Sequence, residues 1–364
     1  MTTFVLAGGG TAGHVNPLLA TADALCERIP DARIVTVGTA GGLETELVPR
    51  AGYELELIER APFPRSLSID ALKFPGRYLA AAREAKNILR RTKADVLIGF
   101  GGYASTPMYR AAQKLGIPII VHEGNARPGM ANKVGARHAH VVALTFPSTD
   151  LRAAKGVTET IGLPLRQLIR DLAREGRERR RSSAATRFGL DPDRPVLLVT
   201  GGSLGAQRLN ETVQTVAGQF PIQILHITGK GKDGPVREAI GDATDYHVLD
   251  YVTDMDNAYA VADLVITRAG AGMVAESSAL GIPAIFVPLP IGNGEQELNA
   301  KDVVDAGGAV IVKNEDFTPE WLAENLPTYL DADKRAQMSD AARGVSPINA
   351  DQRLAELTLS VLGK

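Results

Sequence analysis

Imidazole is the side chain that exchanges protons most readily near neutral pH, so a histidine just past a glycine-rich turn suits general-base work or a hydrogen bond to a departing phosphate. The chain opens MTTFVLAGGGTAGHVNP, where the apolar run Phe4–Ala7 meets Gly8-Gly9-Gly10-Thr11-Ala12-Gly13 and then His14. The spacing Gly8-x-Gly10-x-x-Gly13 is that of the dinucleotide fingerprint. That fingerprint also requires an acidic residue ending the second strand, to hold ribose hydroxyls. The second run ends Thr36-Val37-Gly38-Thr39, and the nearest acid, Glu44, lies beyond a glycine pair. A nicotinamide cofactor is therefore disfavoured. No Walker sequence occurs, which excludes a P-loop nucleotidase.

Three more glycine turns follow apolar runs: Gly99-Phe100-Gly101-Gly102-Tyr103-Ala104-Ser105, Gly201-Gly202-Ser203-Leu204-Gly205 and Arg268-Ala269-Gly270-Ala271-Gly272-Met273. Each is expected where a strand C-terminus meets a helix N-terminus, the edge at which open parallel sheets bind ligands. Unpaired amides and the helix dipole favour phosphate there. Two sheets facing a cleft lined by these turns would hold a nucleotide diphosphate.

The elements that must carry these turns are legible as short valine- and isoleucine-rich runs alternating with amphipathic segments. Strands are expected over Phe4–Ala7, Arg33–Val37, Leu55–Ile58, Val96–Gly99, Pro118–His122 and Val141–Ala143. In the second half they are expected over Val196–Thr200, Ile222–Ile227, Tyr246–Leu249, Leu264–Thr267, Ala284–Val287 and Val310–Val312. Helices fall between them, such as Pro17–Arg28 and Ile69–Arg91. The fold class is α/β, with two doubly wound Rossmann-like domains. PVLLVTGGSLGAQRLN echoes the opening segment, and the boundary falls near Pro164-Leu165. Domains of 1–164 and 165–346 are expected. The basic middle of LRQLIRDLAREGRERRRSSAATRFGLDPDRP reads as a solvated helix or loop, and Asn349–Leu362 as an amphipathic helix.

Composition agrees with this reading. A chain of 364 residues suits two domains, and a net charge of −2 gives no field for nucleic acid. The one cysteine, Cys26, excludes an intramolecular disulfide framework and reads as a buried helix thiol. No signal peptide and no membrane-spanning run of about 20 apolar residues is read. The chain is expected in the cytosol, or peripheral on the cytosolic face of a membrane.

GGGTAGHVNP, GFGGYAS, HEGN, TGGSLGAQRLN and RAGAGMVAES…GIPAIFVPLP…QELNA, in this order across the chain, closely resemble the MurG family. These are the bacterial peptidoglycan N-acetylglucosaminyltransferases, glycosyltransferases of the GT-B fold. The resemblance implies transfer of GlcNAc from UDP-GlcNAc to the 4-hydroxyl of the muramic acid sugar in lipid I, with inversion, giving lipid II and UDP. It implies a UDP-GlcNAc-binding C-terminal domain, an acceptor- and membrane-facing N-terminal domain, and a helix at about 347–364 returning to the latter. Thr11, Ala12 and Gly13 are implied contacts to the donor sugar and diphosphate, and Asn125 a donor-sugar contact. Gly102, Tyr103 and His122 are expected to face the acceptor. Glu123 is a second general-base candidate beside His14, or else a loop cap or ion-pair partner. Arg166 suits a phosphate, or a hinge salt bridge. Ser203 offers a hydroxyl to a phosphate, and Val252 matches the family's uracil-reading position. Gly270, Ala271, Gly272 and Met273 form the turn against the donor. Glu276 matches the carboxylate that holds ribose hydroxyls, and Gln296 and Asn299 suit sugar hydroxyls. Gly124, Leu163 and Glu297 stand where the family commonly has glutamine, asparagine and glutamine.

No cofactor or metal is expected. The pairs Asp191/Asp193, Asp254/Asp256 and Asp331/Asp333 lie in turns or at helix starts rather than at a strand end beside a glycine turn, and helix dipoles can serve the diphosphate. Lipid I lies in the membrane. Leu67, Ile69, Leu72, Phe74, Tyr78 and Leu79, followed by a basic run to Lys93, suit an anionic leaflet. The alternative is an ordinary helix packed on the sheet, although Pro75-Gly76 is expected to break it. Partners are thus UDP-GlcNAc, lipid I, the membrane surface and the cell-wall synthesis machinery. Competing readings are another GT-B glycolipid transferase, a UDP-GlcNAc epimerase, and a non-catalytic nucleotide-sugar-binding module.

Overall fold

The computed structural model describes residues 1–61, 69–202, 205–290 and 293–363, with residues 69–73 described by their backbone alone. Two compact units divide the chain: Met1–Arg166 with Asn349–Lys364, and Gln167–Ile348.

The first unit is built on seven strands: β1 Thr3–Ala7, β2 Arg33–Thr39, β3 Glu54–Ile58, β4 Val96–Gly99, β5 Ile119–Glu123, β6 Val141–Leu144 and β7 Val157–Thr160. They lie in the order β3-β2-β1-β4-β5-β6-β7, and every pairing is parallel. Along β1 the side chains alternate between faces. Phe4 and Leu6 pack with Leu18, Leu25 and Phe100, while Val5 and Ala7 pack with Val35, Leu97, Met108 and Tyr109. Both faces are covered, which is why these strands read as unbroken apolar runs.

The C-terminal helix Ala350–Val361 completes the first of these faces with Leu354, Ala355 and Leu357. Polar contacts fix its position. Arg28 donates to Gln352 Oε1 at 2.9 Å and Glu356 Oε1 at 2.7 Å, and Arg353 forks onto Glu159 at 2.6 and 2.8 Å. That fork reaches β7, a strand with no apolar signature. Val157–Thr160 is an edge strand with no buried residue, held by register and by Arg353.

The second unit has six strands: β8 Val196–Thr200, β9 Gln223–Ile227, β10 Tyr246–Leu249, β11 Leu264–Thr267, β12 Ala284–Phe286 and β13 Ala309–Ile311. Their order is β10-β9-β8-β11-β12-β13, again parallel throughout. Leu197, Val199, Ile266, Ile285, Phe317 and Leu322 form a core on one face. In each sheet the strand order reverses once, between β1 and β4 and between β8 and β11. Those four strands are the ones that run into the four glycine turns, so every turn sits at a topological switch point.

Two sequence expectations change. The helix Ile69–Thr92 runs unbroken through Pro75-Gly76. A proline inside a helix costs about 3 kcal/mol. Burial of Ala81, Ala85, Ile88 and Leu89 further along anchors the helix despite that cost. The basic segment after Gly176 is not a solvated face either. Arg177–Phe188 is a helix whose arginines bind the rest of the second unit. Arg177 donates to the carbonyls of Leu280, Tyr259 and Ala262. Arg180 pairs with Asp256 at 3.1 Å. Arg181 meets Asp263 through both terminal nitrogens, at 3.2 and 2.8 Å, and also donates to the carbonyls of Pro192, Val261 and Arg194. Asp263 Oδ2 in turn accepts from Val196 N at the start of β8.

Removing one partner of such a part-buried network leaves the other desolvated and unpaired. Arg181→Met is therefore expected to destabilise the second unit by about 2–3 kcal/mol, read as a lower midpoint in urea unfolding. An unchanged midpoint would show that the pair contributes nothing net.

Candidate functional site

The first glycine turn is stretched between two helices and a strand end. Gly8 N donates to Val37 O at 3.1 Å. Gly10 has φ +89°, the left-handed region glycine enters freely. Thr11 is the N-cap of Ala12–Arg28, and its side chain makes no cap bond. His14 N turns back to Thr11 O at 3.1 Å, and no side-chain cap covers the amides of Ala12 and Gly13 ahead of it. His14 sits in the first turn, with Nδ1 2.9 Å from Gly9 O and 3.4 Å from Thr11 Oγ1. A carbonyl oxygen only accepts, so Nδ1 carries the proton and Nε2 is left with its lone pair.

The second turn presses on the first. A Cβ at Gly101 would stand 3.1 Å from His14 Nε2, and one at Gly102 would stand 2.6 Å from Gly9 O. Both residues have positive φ. Ser105 locks this corner by donating to Gly101 O at 2.7 Å or Ala7 O at 3.0 Å and accepting from Gly101 N. Tyr103 is exposed, and the Arg60 guanidinium lies 4.5 Å above its ring. Gly102, Tyr103, Thr11, Ala12, Gly13 and His14 are therefore neighbours on one edge of the first sheet.

The pair His122–Glu123 behaves differently. It was expected to face the acceptor, yet the residues are 1% and 2% exposed. Glu123 Oε1 accepts from Asn125 N, and Oε2 accepts from Gly129 N and Asn132 Nδ2. Its carboxylate thus caps the loop that carries Asn125, whose own carbonyl accepts from Thr149 Oγ1. The ring of His122 packs on Phe100, with centroids 5.6 Å apart. Burial holds its pKa down to about 4, partly offset by the Gly162 carbonyl. Asn132, which the sequence reading missed, ties the cluster together. It donates to His122 O and Glu123 Oε2 and accepts from Tyr109 OH. Arg166 is half-buried at the end of the first unit's main segment.

In the second unit, Gly270 is the N-cap of Ala271–Ala279 with no side-chain cap. A Cβ at Gly270 or Gly272 would meet nothing within 4 Å, so the turn opens onto free space. Ala271 lies at the edge of burial and Met273 is half-buried. Glu276 is largely buried and accepts from Tyr259 OH at 2.9 Å, which fixes the carboxylate one helical turn past Gly272. Arg268 reaches across the strand ends to Val287 O, Pro288 O and Asn314 Oδ1. Val252 is half-buried between exposed Tyr251 and Thr253. Ser203 lies outside the described residues.

The two amides of Glu295–Asp305 part company. Gln296 is half-buried, and its Oε1 accepts from Leu289 N at 2.9 Å. Asn299 is 0% exposed and donates to Ala269 O. It therefore supports the fourth glycine turn from behind instead of presenting an amide to a sugar. Deeper in the unit, His226 joins Asn210 Oδ1 at 3.0 Å to Tyr246 OH at 2.7 Å. Asn210 holds Thr228 O, the carbonyl against which Gly205 closes; a Cβ there would stand 2.1 Å away.

The paired aspartates are engaged locally. Asp254 and Asp256 meet Arg187 and Arg180, Asp331 caps Ala332–Ala342, and Asp191 accepts from Asp193 N. Among the described residues no group of three His, Cys, Asp or Glu side chains is placed to hold a metal ion. No helix among them is long and apolar enough to cross a membrane.

Two parallel doubly wound sheets, each with glycine turns at its switch point, are the fold of GT-B glycosyltransferases, enzymes of nucleotide-sugar transfer. The chain belongs to glycosyltransferase family 28: the family's N-terminal domain matches residues 4–144 and its C-terminal domain residues 196–356. A relative from a Nocardioides species is 51% identical over 98% of this chain and 97% of its own. One from Streptomyces coelicolor is 48% identical over 98% of both. Each is named UDP-N-acetylglucosamine–N-acetylmuramyl-(pentapeptide) pyrophosphoryl-undecaprenol N-acetylglucosamine transferase. The crystal structure of Acinetobacter baumannii MurG superposes with a TM-score of 0.80 at 32% identity, covering 99% of this chain and all of that one.

The buried histidine makes a pH prediction. With its folded pKa near 4 against an ordinary 6.5, His122 binds fewer protons in the native state than in the unfolded chain between those values. Its contribution is complete above pH 6.5 and is lost as pH falls through 4. The loss is about 3 kcal/mol at 1.4 kcal/mol per unit. His122→Gln should flatten the fall in thermal midpoint across pH 6.5–4. An equally steep fall in the variant would place the acid sensitivity elsewhere.

Proposed function

We propose that this chain transfers N-acetylglucosamine from UDP-GlcNAc to the 4-hydroxyl of the muramic acid sugar in lipid I. The products are lipid II and UDP, and the anomeric carbon inverts. The observation that carries this reading is 51% identity, spanning both units, with a transferase named for that reaction.

In direct displacement the acceptor oxygen forms a bond to the anomeric carbon while the bond from that carbon to the diphosphate oxygen breaks. The base takes the hydroxyl proton, and the diphosphate leaves with the electron pair. His14 is the base of this proposal: its Nδ1 is engaged by Gly9 O, so Nε2 is the nitrogen that receives the proton. Glu123 acts on position only, because both its oxygens already accept backbone or amide donors. The first unit takes the acceptor, with Gly102 and Tyr103 on the edge beside His14, and His122 supporting them from beneath. Thr11, Ala12, Gly13 and Asn125 reach the donor sugar and diphosphate. The second unit takes UDP. The uncapped amides of Gly270–Met273 meet the diphosphate, Glu276 the ribose, Val252 the uracil and Gln296 the sugar, while Arg166 and Ser203 pair with phosphate. Asn299 serves as a support of the turn.

Lipid I is membrane-bound, so the enzyme is peripheral on the cytoplasmic face and meets the cell-wall synthesis machinery there. Its contact is the N-terminal part of the helix Ile69–Thr92. Leu79 is 66% exposed, Phe74 and Tyr78 pair their rings at 5.7 Å, and Arg83, Arg90 and Lys93 are exposed. Leu67 lies outside the described residues, as do the side chains of Ile69 and Leu72. Beyond Leu79 the same helix packs on the sheet through Ala85, Ile88 and Leu89, so the proposed contact is confined to the part before it.

The deciding experiment is transfer of labelled GlcNAc from UDP-GlcNAc to a short-chain lipid I analogue with EDTA present. Formation of the disaccharide lipid is expected, and His14→Ala should slow it about 10²–10⁴-fold with UDP-GlcNAc still bound. Donor binding without transfer would point to another acceptor or to a binding module. For the membrane contact, Leu79→Glu should reduce co-sedimentation with phosphatidylglycerol vesicles several-fold while transfer to the soluble analogue stays intact. Equal sedimentation would assign the contact to another surface.

A further inference from the structure

Glu44 is the acid rejected as a ribose ligand on its position in the sequence, and it is 1% exposed. Its carboxylate is folded back under the first glycine turn. Oε2 accepts from Gly10 N at 2.7 Å; Oε1 accepts from Thr39 N at 2.9 Å and Thr39 Oγ1 at 3.3 Å. Three glycines clear its space. A Cβ at Gly9, Gly38 or Gly42 would lie 2.2, 2.4 or 2.0 Å from a Glu44 side-chain atom, closer than any real contact.

Gly10 N and Gly9 O belong to one peptide group. Its N–H donates to Glu44, and its carbonyl accepts from His14 Nδ1 at 2.9 Å. The atoms therefore form one chain: carboxylate, peptide, imidazole. We propose that Glu44 is a positioning residue for His14, acting through the Gly9–Gly10 peptide to fix the imidazole as its Nδ1–H tautomer and to leave Nε2, beside Gly101, as the unprotonated nitrogen. A carboxylate on the N–H side polarises the peptide and strengthens its carbonyl as an acceptor, as charge-assisted bonds in series do. The tautomer follows from the bond that the other ring nitrogen makes. This inference rests on the reading of His14 as the base and assigns it a partner.

Glu44→Gln tests it sharply. An amide offers one oxygen and an NH₂ group, so whichever way it turns, a donor faces either Gly10 N–H or Thr39 N–H. The readout is the ¹⁵N spectrum of histidine-labelled full-length protein at mildly alkaline pH. The chain has six histidines, and His14→Gln identifies the signal. In the wild type, His14 should carry its proton on Nδ1, and the Gly10 amide proton should lie far downfield. In E44Q, His14 should divide between tautomers and the Gly10 amide should move upfield. The kcat should fall about tenfold, with KM for UDP-GlcNAc within about threefold. A His14 that stays wholly Nδ1–H in E44Q, whatever the fall in rate or melting temperature, overturns the proposal, because Glu44 then only fastens the strand end. A changed tautomer with an unchanged rate supports the relay and removes His14 from the base role. Should E44Q fail to fold, the wild-type spectrum decides: an Nε2–H His14 or an ordinary Gly10 amide overturns the relay, and the opposite pair supports it.

Discussion

Backbone meeting backbone without intervening side chains is the contact on which the first unit's edge depends. Gly102 stands against the Gly9 carbonyl so closely that one extra carbon would drive the two turns apart. Van der Waals contact at this range holds β1 and β4 at fixed separation where their hydrogen bonding ends. The same contact sets the distance from His14 to the second turn, because the imidazole rests on Gly101. Sheet twist, helix packing and the uncapped helix start all converge on this junction.

The two units solve the same problem with different supports. In the first, carboxylates serve backbone N–H groups: Glu44 takes Gly10 and Thr39, and Glu123 takes Asn125 and Gly129. In the second, arginines and an asparagine serve carbonyls: Arg268 takes Val287 and Pro288, and Asn299 takes Ala269. Each loop is left with one sense of unsatisfied dipole by its fold, and the buried side chain supplies the other. Charge near these edges is thus largely structural, and the groups left for a ligand are mostly main-chain amides.

The strands were legible because both faces of each sheet are covered, so an apolar run admits few other readings. β7 was not, because an edge strand needs no apolar residues. The helix through Pro75 was misread because local propensity was weighed without the packing of Ala81–Leu89 that overrides it. Asn299 was taken as a ligand on the strength of its spacing from Gln296. Ala300 and Val303 mark the buried face beside it, and that signal was available in the sequence. Glu44 was beyond sequence reasoning: its carboxylate reaches backward across the Gly41-Gly42 pair to Thr39 and over to Gly10, and Gly9, Gly38 and Gly42 matter for the volume they vacate more than for their dihedral angles. Arginines in Arg177–Phe188 looked solvated because nothing in a sequence reveals which carbonyls lie above a helix.

The return of Ala350–Val361 to the first unit imposes an order on biosynthesis. A ribosome delivers residues 1–166 well before the helix Ala350–Val361, so the face formed by Phe4, Leu18 and Leu25 lacks Leu354 and Leu357 until that helix is made. The intervening 167–348 is contiguous and reaches its full complement of strands beforehand. The nascent first unit therefore carries an open apolar face throughout translation of the second. A nonsense mutation just ahead of Ala350 would spare every strand of both sheets, yet leave that face permanently open in the unit made first.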